Sequence, residues 1–265
     1  MRVVVVGAGA AGMVAALRLS EKGCNVTLIE QGEIPHPRAA SFDQHRIIRH
    51  MYPDADPYAR LVDHAFAAWD RLWERLGRKH LAETGVLAIT NDPGDWTDRG
   101  REGLDRLGIS YRVWDVAELR RRLPQFQFPD RATGIFTDRG GALFPERIAT
   151  DLVEALRQSG VTLIPREKVV SIDAGTGRVA TESSAVFLGD RVIFSGGAWA
   201  SHLFPDFAAA LTTYRQAVLY VAAPAKWAAA WAETPAIVDI GGESGCYSLP
   251  PVDGSDMKIV SPEHR

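Results

Sequence analysis

The run Val3-Val4-Val5-Val6-Gly7-Ala8-Gly9-Ala10-Ala11-Gly12, followed by Val26-Thr27-Leu28-Ile29-Glu30, decides the fold. Consecutive valines read as a buried strand, and they lead straight into G-x-G-x-x-G. The next residues keep an apolar face at helical spacing through Met13, Ala16 and Leu17 until Gly23 stops the helix. A second β-branched strand then ends on Glu30. Each glycine has its own task in such a unit: Gly7 allows the tight turn, Gly9 lets backbone approach a pyrophosphate, and Gly12 lets helix and strand pack closely. Glu30 closes the second strand where a carboxylate can accept hydrogen bonds from ribose hydroxyls. The helix N-terminus takes phosphate without a basic side chain. Alone, G-x-G-x-x-G is an ordinary glycine-rich turn; strand, turn, helix, strand and terminal acid in this order predict a β-α-β dinucleotide site.

Working outward, 265 residues suffice for one large or two modest domains with a proper core. A formal charge of −3, with Lys and Arg dispersed among acids, argues against a phosphate-backbone partner, so no nucleic acid is expected. Arg120-Arg121-Arg122 follows Val116-Ala117-Glu118-Leu119 and reads as the solvated end of a short helix. Cys24 and Cys246 have neither metal-ligand nor disulfide-framework spacing, so no residue is assigned to a metal and a reducing cytoplasm is the expected location. The N-terminus has an Arg before an apolar stretch, as a signal peptide does, but three glycines at motif spacing favour strand, turn and helix. No other segment approaches the ~20 apolar residues of a membrane span.

Beyond Glu30 comes a loop rich in Pro, His, Ala and Ser, then His45-Arg46-Ile47-Ile48-Arg49-His50. Asp56-Pro57 opens a long amphipathic helix whose apolar stripe runs through Leu61, Val62, Ala65, Phe66, Trp69, Leu72, Trp73 and Leu76. Strands are expected at 85–90, 111–114, 134–138, 161–164, 191–195, 214–222 and 257–260, with a hairpin of 169–173 and 179–188. Helices are expected at 96–107, after Asp115, and at 146–159; residues 140–145 read as a loop. This order predicts an α/β chain with α+β elements rather than one doubly wound sheet. A nucleotide-binding sheet is built from 1–30 and 147–199, and a second sheet from 85–138 and from 214 onward.

At this point the chain resembles the D-amino-acid-oxidase-like flavoprotein family, in its sarcosine oxidase and N-methyltryptophan oxidase branch. Four blocks carry the resemblance: residues 7–30; Ala40-Ser41-Phe42-Asp43-Gln44-His45-Arg46-Ile47-Ile48-Arg49; Ile193-Phe194-Ser195-Gly196-Gly197-Ala198-Trp199 with Tyr214-Arg215-Gln216 after it; and residues 247–258. The first block fits many dinucleotide enzymes, while R-I-I-R and G-A-W are far more specific. The resemblance implies a Rossmann-like FAD-binding domain, 1–50 and 140–212, interleaved with a mixed-sheet substrate domain, 51–139 and 213–265. It implies FAD, with adenine and ribose at Glu30 and Gln31, pyrophosphate at Gly9, Ala10 and Gly12, and Ser41 on the phosphate side. Gly7, Ala11 and Ala40 complete that cradle. Val169 matches a backbone that reads the adenine edge, and Gly196, Gly197 and Trp199 match a turn that closes over the cofactor.

The implied reaction is oxidation of the C–N bond of a small-molecule amino acid or N-methyl amino acid, with O2 as acceptor and H2O2 as product. By match, one of Arg46 and Arg49 lies under the flavin and the other, here assigned to Arg49, holds the substrate carboxylate through a guanidinium fork. Lys258, eleven residues after Tyr247, resembles the lysine that activates O2 in this branch, and Tyr247 joins the catalytic set. His45 and His50 receive no role, and neither does His264, which only loosely matches a family histidine. Family members continue past this lysine strand into a segment that lines the flavin ring. No such segment follows here, and Cys246 precedes Lys258 and so does not match the cysteine that bonds flavin covalently. The expectation is therefore an incomplete substrate domain, little turnover by the chain alone, and an open strand edge near 257–260 that self-associates or takes a partner chain. A non-catalytic or split FAD-binding subunit, a truncated inactive homologue and an NAD-dependent dehydrogenase are the alternatives; R-I-I-R and G-A-W favour FAD over NAD.

Overall fold

A computed structural model describes residues 1–53, 56–207, 209–241 and 245–261; His264 lies outside the described residues. Cα packing divides the chain into two units, Met1–Asp43 with Arg75–Gly77 and Pro145–Thr213, and Gln44–Glu74 with Arg78–Phe144 and Tyr214–Arg265. Gln44 to His50, with Arg46 and Arg49, thus packs in the second unit.

The first unit holds a four-stranded parallel sheet in the order Arg191–Phe194, Arg2–Val6, Asn25–Ile29, Thr162–Ile164. The valines occupy its centre because they pair on both sides, Val4 with Val192 and with Thr27, and Val3 to Val6 are all buried. Burying each such side chain stabilises by about 1.5–3 kcal/mol. The helix Ala10–Glu21 joins the first two strands and buries Met13, Ala16 and Leu17, as its spacing predicts. It ends where Gly23 turns at φ +79°. The helix Pro145–Gln158 packs beside it through a face that includes Ile148, Leu152 and Leu156. A three-stranded antiparallel sheet, Val169–Asp173, Arg178–Thr181 and Val186–Leu188, packs on the parallel one through Ile172, Val179 and Phe187. The expected single arm at 179–188 is corrected: a turn with Ser184 at φ +72° splits it in two.

The second unit centres on a seven-stranded mixed sheet in the order Leu219–Val221, Met257–Val260, Tyr247–Leu249, Ala236–Asp239, Val86–Thr90, Thr133–Thr137, Arg112–Trp114. Only Ala236–Asp239 against Val86–Thr90 is parallel. Asp95 and Asp115 cap the helices Trp96–Leu107 and Val116–Arg122 by accepting the backbone N–H of Asp98 and of Glu118. The helix Asp56–Leu76 buries Ala59, Val62, Phe66 and Trp73, but Leu61, expected on its apolar stripe, is exposed.

Three further expectations are corrected. Residues 141–143 form a strand, not a loop, between Arg46–Ile48 and Leu81–Ala82. Its one glycine serves close pairing: a Cβ on Gly141 would lie 2.1 Å from the Ala82 carbonyl oxygen. The strand expected over 214–222 shrinks to Leu219–Val221 and leaves Tyr214 exposed. Met257–Val260 is no open edge, since it is flanked on both sides and buries Met257, Lys258 and Val260; the edge on this side of the sheet is Leu219–Val221. Among the described residues no helix is long and apolar enough to cross a membrane.

Candidate cofactor and active site

In the first unit a cavity of about 730 Å³ opens at the carboxyl ends of the parallel strands. Gly7, Gly9, Ala10 and Ala11 line it from the glycine turn, and Glu30 and Gln31 from the end of the second strand. Ala40 and Ser41 line it from the following loop, Val169 from the small sheet, and Gly196, Gly197 and Trp199 from the turn after Phe194.

Gly7 sits at φ +101°, and a Cβ there would come within 2.6 Å of the Ser195 carbonyl oxygen. Gly12 is behind the cavity rather than on its wall: its Cβ would meet the Gly7 carbonyl oxygen at 1.8 Å. Ser195 clamps the turn, its Oγ lying 2.8 Å from the Gly7 oxygen and 3.0 Å from that of Val6. Gly9 caps the helix Ala10–Glu21 without a side chain, and the first turn carries no acid, so the positive end of the helix stays open to an anion. There the Ala10 N–H donates to Ser41 Oγ at 2.9 Å.

Glu30, buried, accepts the Ala8 N–H on Oε2 at 2.8 Å and the Gly32 N–H on Oε1 at 3.1 Å. Two backbone donors fix its side chain at the cavity wall. A helix end open to pyrophosphate, a glycine cradle, a buried carboxylate for ribose and a cavity of this size fit FAD. Sequence reasoning assigned no role to Ser195 or His36. His36 is buried, lines the same cavity and has Nδ1 3.1 Å from Glu30 Oε1. No periodic signal marks a histidine inside Pro35-His36-Pro37.

In the second unit a cavity of about 580 Å³ is lined by Arg46, Arg49, Tyr247 and Lys258 together, with Trp96, Asp95 and Asp239. Arg49 is half-buried; its Nε donates to the Met51 carbonyl at 3.0 Å, and its guanidinium lies 4.6 Å from the Tyr52 ring centre and 5.7 Å from that of Trp96. Burial holds its pKa below the ordinary arginine value, opposed by the phenols of Tyr52 and Tyr247. Arg46 is exposed.

Lys258 is only 2% exposed, which removes the reading of a solvated lysine on a strand face. Its Nζ donates to the His45 carbonyl at 3.2 Å and lies 5.6 Å from the Tyr220 ring centre, the residue paired with it across the strands. Asp239, which sequence reasoning missed, is buried; it accepts the Thr97 hydroxyl and the Gly241 N–H, each at 3.0 Å. Burial raises its carboxyl pKa, and those two hydrogen bonds oppose the shift. His50 lines neither of these cavities; it is buried with Nε2 3.0 Å from Asp63. Among the described residues no cluster of three or more His, Cys, Asp or Glu could hold a metal.

The family model described as FAD dependent oxidoreductase matches residues 2–261. The chain is 25% identical over 205 residues to the N-methyl-L-tryptophan oxidases of Yersinia pestis (strain Pestoides F) and Yersinia pseudotuberculosis serotype O:1b, an overlap of 76% of this chain and 55% of each relative. It thus spans about half the length of the curated relatives it matches. Its fold is that of NikD, an unusual amino acid oxidase essential for nikkomycin biosynthesis, at TM-score 0.81 and 19% identity over 98% of this chain and 69% of that one. The modified fructosyl peptide oxidase from Aspergillus nidulans shares it too, at TM-score 0.81 and 21% identity over 98% and 64%. With nearly its whole length matched, the chain belongs to the FAD-dependent oxidoreductase family, and FAD is that family's cofactor.

Proposed function

We propose that the protein oxidises the C–N bond of an amino acid or N-methyl amino acid, with O2 as acceptor and H2O2 as product. One observation carries this reading: Arg46 and Arg49 line a single cavity with Tyr247 and Lys258, a pair distant from them in sequence. The likeness to N-methyl-L-tryptophan oxidases supports the substrate class.

Bound FAD supplies the acceptor for the electron pair leaving the C–N bond. Arg49 holds the substrate carboxylate. Its Nε is spent on the Met51 carbonyl, so the two Nη groups are left to grip an anion, and the rings of Tyr52 and Trp96 fix the guanidinium plane beforehand. Its charge persists at neutral pH although burial lowers its pKa. Lys258, whose Nζ donates to the His45 carbonyl at the wall of this cavity, is the group placed to stabilise the negative charge that O2 acquires.

A second reading, an FAD-binding subunit completed by a partner chain or by self-association, is favoured by the exposed edge strand Leu219–Val221, where Leu219 is 64% exposed. One experiment separates the two. The purified protein is examined for flavin absorbance, and sarcosine or N-methyl-L-tryptophan is then added without oxygen. Bleaching, with peroxide formed on admitting air, supports the oxidase. Flavin absorbance that no N-methyl amino acid bleaches favours the subunit, and failure to take up FAD overturns both.

A further inference from the structure

Within the FAD-binding reading, on which this rests, we propose that His36 is a cofactor-positioning residue: its ring N–H orients the Glu30 carboxylate toward the ribose. Two lone pairs 3.1 Å apart would repel, so Nδ1, at that distance from Glu30 Oε1, must carry the ring proton. A carboxylate offers about four acceptor sites. The Gly32 N–H and His36 occupy Oε1, and the Ala8 N–H takes one site on Oε2. The remaining site is on Oε2, so His36 decides which oxygen is left for a ribose hydroxyl.

The other contacts of the ring give it a second attachment. It stacks on Trp199 with centres 6.0 Å apart and planes 28° apart, and both residues line the cavity. The imidazole thus links the loop after the second strand to the turn after Phe194. Gly32 makes the space: a Cβ there would lie 2.7 Å from Cδ2 and Nε2 of the ring. Gly32 does not need a positive φ, so it is the ring that calls for glycine at this position.

The test titrates apoprotein with FAD and follows flavin fluorescence. His36→Asn keeps an N–H near the Nδ1 position and loses the ring; His36→Phe keeps the ring and its stack and loses the N–H. Positioning through Glu30 predicts FAD affinity for His36→Asn within about threefold of wild type and for His36→Phe at least about tenfold weaker. In a Glu30→Gln background His36→Phe should add nothing, because its route to the ligand is gone. If His36→Phe fails to fold, His36→Gln replaces it, since its amide reaches the Nε2 rather than the Nδ1 position. Undiminished affinity in His36→Phe, additive losses with Glu30→Gln, or His36→Asn as weak as His36→Phe would each overturn the assignment. Wild-type protein that takes up no FAD overturns the FAD reading itself.

Discussion

Gly9 and Gly12 belong to one motif, yet the structure gives their substitutions opposite consequences. A Cβ on Gly12 would stand 1.8 Å from the Gly7 carbonyl oxygen and 2.5 Å from Ser195 Oγ. The obstacle is backbone, and it cannot yield cheaply: the Gly7 N–H is bonded to the Ile29 carbonyl at 2.8 Å, and its carbonyl is held by Ser195. Overpacking against side chains that can shift costs about 1–3 kcal/mol. With backbone on the far side Gly12→Ala should reach the top of that range, about 3 kcal/mol, more than a hundredfold in the folding equilibrium. Gly9 has φ −69° and ψ 177°, open to any residue, and its Cβ would meet only Ser41 Oγ at 3.4 Å. Gly9→Ala should therefore leave the apoprotein unchanged or stabilise it by about 0.4–1 kcal/mol. Gly9→Val puts bulk where the pyrophosphate approaches. The same 1–3 kcal/mol then falls on the ligand and weakens FAD about 5- to 150-fold. Urea unfolding of the apoproteins reads the first effect and equilibrium dialysis with FAD the second. Gly12→Ala melting within about 0.5 kcal/mol of wild type, or Gly9→Val holding FAD as wild type does, would refute the reasoning.

Arg49→Ala should slow anaerobic flavin reduction by substrate, losing about 2–5 kcal/mol if a buried carboxylate pair is broken, while Lys258→Met should leave that step near normal and slow reoxidation. Stopped-flow traces placing both defects in the same half-reaction would contradict this division of roles. The carboxyl of Asp239 has its pKa raised by burial, so the folded state binds its proton more tightly than the unfolded one. Its stabilising contribution is complete at acid pH and is lost as pH rises through the folded-state value. Asp239→Asn, which still offers an acceptor to the Gly241 N–H, should gain stability relative to wild type as pH rises from the ordinary aspartate range toward neutrality. Urea melts at several pH values check the sign.

Local signals made the cofactor unit legible. Val3 to Val6, the three glycines and Glu30 state their geometry within thirty residues, because each acts on a neighbour along the strand, the turn or the helix. The substrate unit was less readable where pairing partners decide the outcome. Gly140 and Gly141 announce a loop by composition, but their missing side chains make room for neighbouring backbone, the Ile48 carbonyl beside Gly140 and the Ala82 carbonyl beside Gly141. The alternation from Tyr214 to Ala222 predicts a full strand. On a sheet edge with one neighbour only Leu219–Val221 pairs, and Met257–Val260, expected at the margin, takes the inner place.

The catalytic candidates divide in the same way. Arg46, Arg49, Tyr247 and Lys258 became visible through blocks shared with a family; no spacing between them could bring them to one cavity. Asp239 and His36 had no such marker. Asp239 matters because Thr97, 142 residues away, donates to it, and because burial removes water from it. His36 matters because Glu30 lies on one side of its ring and Trp199 on another. In a linear sequence each is one acid or one histidine in a loop-like context. A residue whose chemistry is set by its own side chain can be read from the sequence, whereas one whose chemistry is conferred by distant partners emerges only when folding supplies them. The variants that separate those cases are His36→Phe and Asp239→Asn, which change the partnership while keeping most of the side chain's bulk, with His36→Asn as the converse that keeps the N–H and loses the ring. They therefore report on the contacts that folding adds rather than on the volume it fills.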